Sequence, residues 1–400
     1  MTTASGARLA ALTTIRVGGP ADAVITATTR EEVIRAAQDA WGSGEELFVL
    51  GGGSNVVFGD EGFEGRVLHV ATRGIERIAH AARAVPATPA SDADRLRSLS
   101  RSLRPQQQRE PVHIRVEAGE SWDGLTAYAV EQGWSGIEAL SGVPGSCGAA
   151  PIQNIGAYGQ ELAAALTAVE FLDRSSGEVV RIPASELELG YRTSVFKHDR
   201  EGVVLSIELL LHAAEQGRPA QSAPISYAQL ADALGVPLGS RVPIAALRQS
   251  VLELRRRKGM VLDPTDPESV SVGSFFTNPV VRESFARTLP VDAPRWPTSG
   301  DEPDIIVPLG EEIPVRRSGR SEPMVKLSAA WLIEHAGVRR GFHLPGSPAH
   351  VSSKHTLAIV NGGGATAAQV LELARYIRNL VQIEFGVLLH PEPSLIGVTL

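Results

Sequence analysis

Gly51, Gly52 and Gly53, followed by Ser54 and Asn55, are the first residues whose types and spacing could do chemistry. Three glycines let a backbone turn tightly and come close to a ligand. Successive N–H groups in such a turn form an anion-binding nest suited to a pyrophosphate, and Ser54 and Asn55 add side-chain donors. A plain glycine-rich turn is the alternative. The second stretch is 141–159, SGVPGSCGAAPIQNIGAYG. Loops usually carry polar residues, so a long, apolar, glycine-dense loop implies backbone packed on something flat, either a cofactor ring or another strand. Cys147 has no evident partner base nearby in sequence and reads as a small hydrophobe. Gly362-x-Gly364-x-x-Ala367 matches a dinucleotide fingerprint, with acidic Glu384 about twenty positions on. Glu384 ends a helix rather than a strand, so an ordinary strand–turn–helix connection is the plainer reading. Three polar–aromatic clusters complete the set: YRTSVFK at 191–197, GSFFTNP at 273–279 and HPEP at 390–393. Taken singly, Arg192 could be a surface cation, Ser274 a turn residue and Glu392 a solvated charge.

These stretches sit at the ends of regular elements. The pattern predicts strands at 22–28, 46–50, 65–71, 112–118, 168–173, 179–182 and 202–211. Later strands are expected at 273–276, 357–360 and 387–389. Thr29 stands three residues before Glu32 as a capping box, and Val33, Ile34, Ala37 and Trp41 follow at helical spacing. Further helices are expected at 122–132, 244–258, 328–335 and 367–385. The last carries one apolar face of Val370, Leu373, Ala374, Ile377 and Leu380. Residues 84–111 are rich in Pro, Ser, Gln and Arg and lack apolar periodicity. Such a segment cannot bury enough to offset its ordering entropy, and a mobile surface insertion is expected there. Residues 213–224 read as a linker, and 285–303 as Pro-rich.

The composition narrows the class. Hydrophobic residues are 43% and charged residues 21%, ordinary globular usage, and 400 residues suggest two or three domains. A net charge of −7 argues against a protein that coats nucleic acid. One cysteine excludes an internal disulfide and a Cys-built zinc site, and no metal is expected. No apolar run approaches a membrane span and the N-terminus lacks a signal-peptide pattern, so a soluble cytoplasmic protein is expected.

Taken together and in order, the motifs resemble the UDP-N-acetylenolpyruvoylglucosamine reductase family. The matching pieces are TIRVGG at 14–19, LGGGSN at 50–55, the loop 141–159, YRTSVFK, GSFFTNP and the terminal PEP. They spread over nearly the whole chain apart from 84–111 and 285–303. The resemblance implies an α+β chain with the vanillyl-alcohol-oxidase/PCMH-like FAD-binding fold. Two subdomains, 1–73 with 388–400 and 74–212, would hold non-covalent FAD. A smaller α+β domain, 213–387, would hold the substrate. The implied reaction takes hydride from NADPH through FAD to the C3 methylene of an enolpyruvyl ether on a UDP-sugar, with protonation at C2. It serves peptidoglycan precursor synthesis.

The resemblance also assigns residues. Ser274 matches the general acid, Arg192 the cation beside the substrate carboxylate, and Glu392 the second acidic residue. Arg16, Gly51, Gly52, Gly53, Ser54, Asn55, Gln153, Asn154 and Gly156 match cofactor positions. Tyr227 resembles the mobile-loop Tyr of the family's first subtype. Lys258 and Asn278 resemble its diphosphate contacts, and His355 aligns with a substrate-side position. A monomer with no nucleic-acid or membrane partner is implied. Ala149 departs from the Gly found there in the family and would narrow the flavin site slightly. Two other readings stay open. A related flavin oxidase would tether its FAD, but 141–159 holds no His. A non-catalytic sugar-nucleotide binder would not need Arg192, Ser274 and Glu392 together.

Overall fold

The computed structural model describes residues 1–79, 111–214, 217–298 and 323–400. The expected insertion therefore lies outside the described residues except for Pro111, as does the end of the Pro-rich stretch. The chain forms two compact units. The first is Met1–Ser5, Asp22–Gly52 and Gly65–Arg257; the second is Gly6–Ala21, Gly53–Glu64 and Lys258–Leu400. This division differs from the expected boundaries at 73, 213 and 388. Residues 217–257 belong to the first unit, and 6–21 and 53–64 to the second.

Among the described residues the first unit holds two larger sheets and a short two-stranded hairpin. One has the order Thr2–Ser5, Ala21–Ala27, Phe63–Val70, Leu47–Leu50. Its last two strands are parallel, which requires a crossover. Helix α1 (Arg30–Ser43) lies between Ala21–Ala27 and Leu47–Leu50 in the chain. The capping box is present: Glu32 N–H donates to Thr29 Oγ1, and Thr29 N–H donates to the Glu32 carboxylate, both at 3.3 Å. Val33, Ala36, Ala37 and Ala40 form its buried stripe.

The other sheet runs Val179–Pro183, Leu166–Asp173, Gly202–Ala213, Pro111–Glu117, Ile75–Arg77, with Trp134–Ser135 beside the end of Gly202–Ala213. Val112, Ile114 and Val116 alternate inward toward Trp122 and Leu125 of α2 (Trp122–Glu131). Two further helices, α3 (Ala228–Leu234) and α4 (Ile244–Arg257), close a small core of Ile225, Leu230, Leu247, Val251 and Leu254 around Ala139. No helix is among the elements expected at α3, which is short; Tyr227, whose alternative reading is a helix-cap packing residue, stands at its N-cap and supplies no side-chain cap.

The second unit contains two three-stranded sheets: Ser271–Ser274, Ala358–Asn361, Ala349–Val351; and Val280–Arg282, Met324–Leu327, Arg295–Pro297. Helices α5 (Glu283–Ala286), α6 (Ala329–His335) and α7 (Ala367–Phe385) accompany them. Val370, Leu373, Ala374, Ile377 and Val381 of α7 lie buried in one core with Ile15, Val17, Phe275 and Phe276. The strand expected at 387–389 is absent. Val387 and Leu389 are buried, but the ladder forms at Ser394–Ile396, parallel to Val56–Phe58. Pro391 and Pro393 have no N–H to donate, so regular pairing starts after them.

Candidate active site

In the first unit the glycine-rich loop is stitched to the Arg192 turn. Asn154, 2% exposed, donates from Nδ2 to Gly190 O (3.1 Å) and to Glu161 Oε2 (3.2 Å). Its Oδ1 accepts from Ala163 N–H at 3.0 Å. Gly156 pairs with Glu161 in a short hairpin, and Arg192 Nη2 donates to Gly156 O at 3.1 Å. The Lys197 ammonium donates to Arg192 O at 3.1 Å. Asn154 (φ 44°) and Arg192 (φ 57°) both adopt left-handed backbone, as does Arg16 (φ 57°) in the other unit. Side chains there cost on the order of 1–3 kcal/mol unless their surroundings impose it, and such residues cluster at functional sites. Here the bonds at Gly190, Gly156 and Arg192 O impose it.

Arg255, on α4, is a residue that sequence reasoning missed. Burial lowers its pKa; Tyr158 and Asp123 oppose that, and the nearby Arg192 charge adds to it. Arg255 and Arg192 therefore lie near enough to repel each other, with the half-buried Tyr158 close by. The sequence signal for Arg255 was the spacing from Arg248, seven residues earlier on the same helix face. Arg248 makes a two-pronged bond to Asp123 (2.6 and 3.1 Å), and Asp123 also accepts from Gly142 N–H at 2.6 Å. Burial would raise the Asp123 pKa, but Arg248 outweighs it and the carboxyl stays below its usual range. The helix that carries Arg255 is thereby tied to the start of the glycine-rich loop. Tyr227 stands edge-on to Tyr158 with ring centroids 5.6 Å apart and remains 43% exposed. Gln153 is half-buried in the same loop.

The question of what the glycine-rich loop packs against has an answer in part. A Cβ on Gly148 would strike Ala118, so at this position the flat neighbour is protein. A Cβ on Gly52 would lie 2.7 Å from the Gly145 Cα, so two glycine backbones meet face to face. Gly52 itself is exposed and Gly51 half-buried. This bare-backbone ledge, with the Ser146 hydroxyl set against Gly51, is shaped for an anion such as a pyrophosphate. Ala149 is exposed. Cys147 is fully buried and its thiol pKa is pushed well above the usual value by that burial, so it is inert.

The second unit brings Ser274 and Glu392 onto adjacent extended segments. Glu392 N–H donates to Phe275 O (2.9 Å), Thr277 N–H donates to His390 O (3.1 Å), and Phe276 bridges Pro391. Both residues are half-buried. Asn55 joins them: its Nδ2 donates to Glu392 O at 3.3 Å and its carbonyl accepts from Ser394 N–H at 3.0 Å. Thr14 ties the Arg16 segment to the same place through bonds from its N–H to Gly53 O (3.0 Å) and from Oγ1 to Ser271 O (2.6 Å). Arg16 is exposed, and Ser54 is half-buried. Asn278 Oδ1 accepts from Ala329 N–H at 2.9 Å, so it caps α6 beside Ser328. Lys258 and His355 are half-buried in this unit. The helix start after Gly362–Gly364 is occupied by the Asp60 carboxylate, which accepts from Ala367 N–H (2.8 Å) and Ala368 N–H (2.9 Å). A phosphate has no place there, and the fingerprint is a helix connection.

Comparison with known proteins shows the family and the fold. Residues 264–396 match the C-terminal domain of UDP-N-acetylenolpyruvoylglucosamine reductase, and 21–114 and 98–183 match an FAD binding domain. A solved UDP-N-acetylenolpyruvylglucosamine reductase from Thermus caldophilus has the same fold, with a TM-score of 0.58 at 24% identity, over 99% of this chain and 98% of that one. The reductase of Saccharopolyspora erythraea is 44% identical, over 99% of this chain and 96% of its own. That of Leifsonia xyli is 54% identical, over 98% of each chain. With motifs, fold and near full-length relatives in agreement, the chain belongs to the UDP-N-acetylenolpyruvoylglucosamine reductase family.

Proposed function

We propose that this chain reduces the enolpyruvyl ether of UDP-N-acetylglucosamine-enolpyruvate to UDP-N-acetylmuramate, with NADPH as reductant, for peptidoglycan precursor synthesis. The observation that carries the site assignment is the Glu392 N–H to Phe275 O bond, which sets a carboxyl residue beside the strand that ends in Ser274. When bound, FAD would supply the hydride chemistry that links NADPH to the enolpyruvyl C3.

The chain's own residues do the rest. The Arg192 fork, held by Gly156 O, meets the substrate carboxylate, where negative charge grows as C3 receives hydride. The Ser274 hydroxyl gives its proton to C2. A hydroxyl is a weak acid, but an enolate-like carbon is a strong base, so the transfer is favourable when geometry is held. Glu392 adds a second acidic group on the Ser274 side. Arg16, Gly51, Gly52, Gly53, Ser54, Asn55, Gln153 and Gly156 offer donors to FAD, while Asn154 braces the loop that bears two of them. Tyr227 closes over the UDP portion, as in the family's first subtype. Lys258 and the Asn278 amide serve the diphosphate, and His355 lies toward the substrate. Arg255 beside Arg192 adds positive charge for an anionic ligand.

The reading carries a monomer in the cytoplasm, where NADPH and nucleotide sugars are available. Among the described residues no helix is long and apolar enough to cross a membrane. The test is anaerobic stopped-flow absorbance at the flavin band. NADPH should bleach the flavin, and the enolpyruvyl-UDP-sugar should restore the colour. Bleaching without recovery would mean a different oxidant, and a protein that takes up no FAD would end the reading.

A further inference from the structure

The turn after Ala358–Asn361, with its Gly362-x-Gly364 spacing, has no part in the reductase reading so far. With its helix start filled by Asp60, what remains is the side chain of Asn361, 6% exposed. Its Oδ1 accepts from Gly363 N–H and Ala365 N–H, both at 3.0 Å. Its Nδ2 donates to Ile15 O (3.0 Å) and Arg16 O (3.3 Å). All four hydrogen-bonding positions of the carboxamide are used. One half shapes the turn before α7; the other grips the backbone on both sides of the Ile15–Arg16 link.

Arg16 needs such a grip. It holds left-handed backbone with φ 57°, which a long side chain does not adopt unaided. Its own N–H donates to Thr13 O at 3.2 Å, and Thr13 Oγ1 donates to Val17 O at 3.2 Å. Those bonds are local and close a small loop. Thr14 anchors the start of the segment to Gly53 and Ser271, but at Ile15 and Arg16 themselves the long-range bonds are those of Asn361, more than 340 residues away in sequence. We propose that Asn361 is a positioning residue for the cofactor: its amide fixes the carbonyls of Ile15 and Arg16, and so presents the exposed Arg16 guanidinium to FAD. The inference rests on Arg16 being a cofactor contact.

The experiment is a double-mutant cycle on FAD affinity, read by quenching of flavin fluorescence on the apo-protein. Asn361→Asp keeps an acceptor for Gly363 and Ala365 but replaces the donor NH2 by an oxygen facing two carbonyls. It should weaken FAD binding about tenfold, and so should Arg16→Ala. The double variant should be no weaker than Arg16→Ala by more than about twofold, because the two changes remove one interaction. Weakening that multiplies, or an Asn361→Asp protein that binds FAD as wild type does, overturns the role of Asn361 and leaves Arg16 in place. Wild-type affinity in Arg16→Ala removes the Arg16 contact itself, and the inference with it. If Asn361→Asp does not fold, Asn361→Ser goes through the same cycle.

Discussion

Ser274 sits at the end of Ser271–Ser274, where the neighbouring chain supplies a carboxyl residue and the strand supplies rigidity. Replacing it by Ala removes the proposed proton donor and no packing of consequence, since the side chain is only half-buried. Flavin reduction by NADPH should survive, while reoxidation by the enolpyruvyl substrate slows about 10²–10⁴-fold. Equal slowing of both half-reactions would make Ser274 structural. Arg192 is held differently, in left-handed backbone braced by the Lys197 bond to its carbonyl and by its own bond to Gly156 O. Arg192→Lys keeps the charge but loses the planar fork, so an ammonium on a flexible stem cannot hold a carboxylate in the fixed two-pronged geometry while bonded to Gly156 O. Reoxidation should fall about 10²–10³-fold with flavin reduction preserved. A rate within a factor of two of wild type would detach Arg192 from the chemistry.

At the scale of elements, one contact sets how the two glycine-rich turns are placed. Gly52 touches Gly145 backbone to backbone, so Gly52→Ala must push one turn off the other. We expect a loss of about 1–3 kcal/mol of stability in urea titration, together with weaker FAD binding. Unchanged values on both would remove the ledge from the cofactor site.

The strands that bear the glycine-rich loop are held on their outer face by charge. Glu208, 2% exposed, takes a two-pronged bond from Arg181 and another from Arg115, and Glu170 pairs with Arg30 and Ser206. Burial by itself would raise both carboxyl pKa values, yet the guanidinium partners hold them below the usual range. The native state therefore binds fewer protons than the unfolded chain in mild acid. The stabilisation is complete above the ordinary carboxylate range and is lost as pH falls through the lowered values. Glu208→Gln should cost about 1.5–3 kcal/mol at neutral pH, and the loss should shrink toward pH 3, measured by urea midpoints. A cost independent of pH would contradict the charged pairing.

Over the whole molecule the chain passes repeatedly between its two units, so neither is a continuous stretch. The core of the second unit includes Ile15, Val17 and Val57 from the N-terminal part of the sequence. The fragment 258–400, although it contains the whole matched C-terminal domain, lacks these residues and the strand Val56–Phe58 that pairs with Ser394–Ile396. Expressed alone it should show no cooperative thermal transition by circular dichroism. A sharp transition would mean that the N-terminal segments only decorate a self-sufficient domain.

Local elements were legible in the sequence because their determinants are local. The Thr29–Glu32 box and the apolar stripe of α7 both act within one or two turns. The order of the motifs pointed to the family for a related reason: Ser274, Arg192 and the Gly51–Asn55 turn sit inside short stretches that can be read without knowing what lies opposite. Tertiary structure decided what depends on residues far apart in the chain. It made Asn154 a brace, because its partners Gly190 and Ala163 come from separate turns. It turned the 362–364 fingerprint into a helix connection, because Asp60 arrives from some 300 residues away to fill the anion position. It moved the last strand past two prolines to where Val56–Phe58 offers a ladder. Hydrogen bonds between distant segments carry no periodicity, and a single sequence has no means of announcing them.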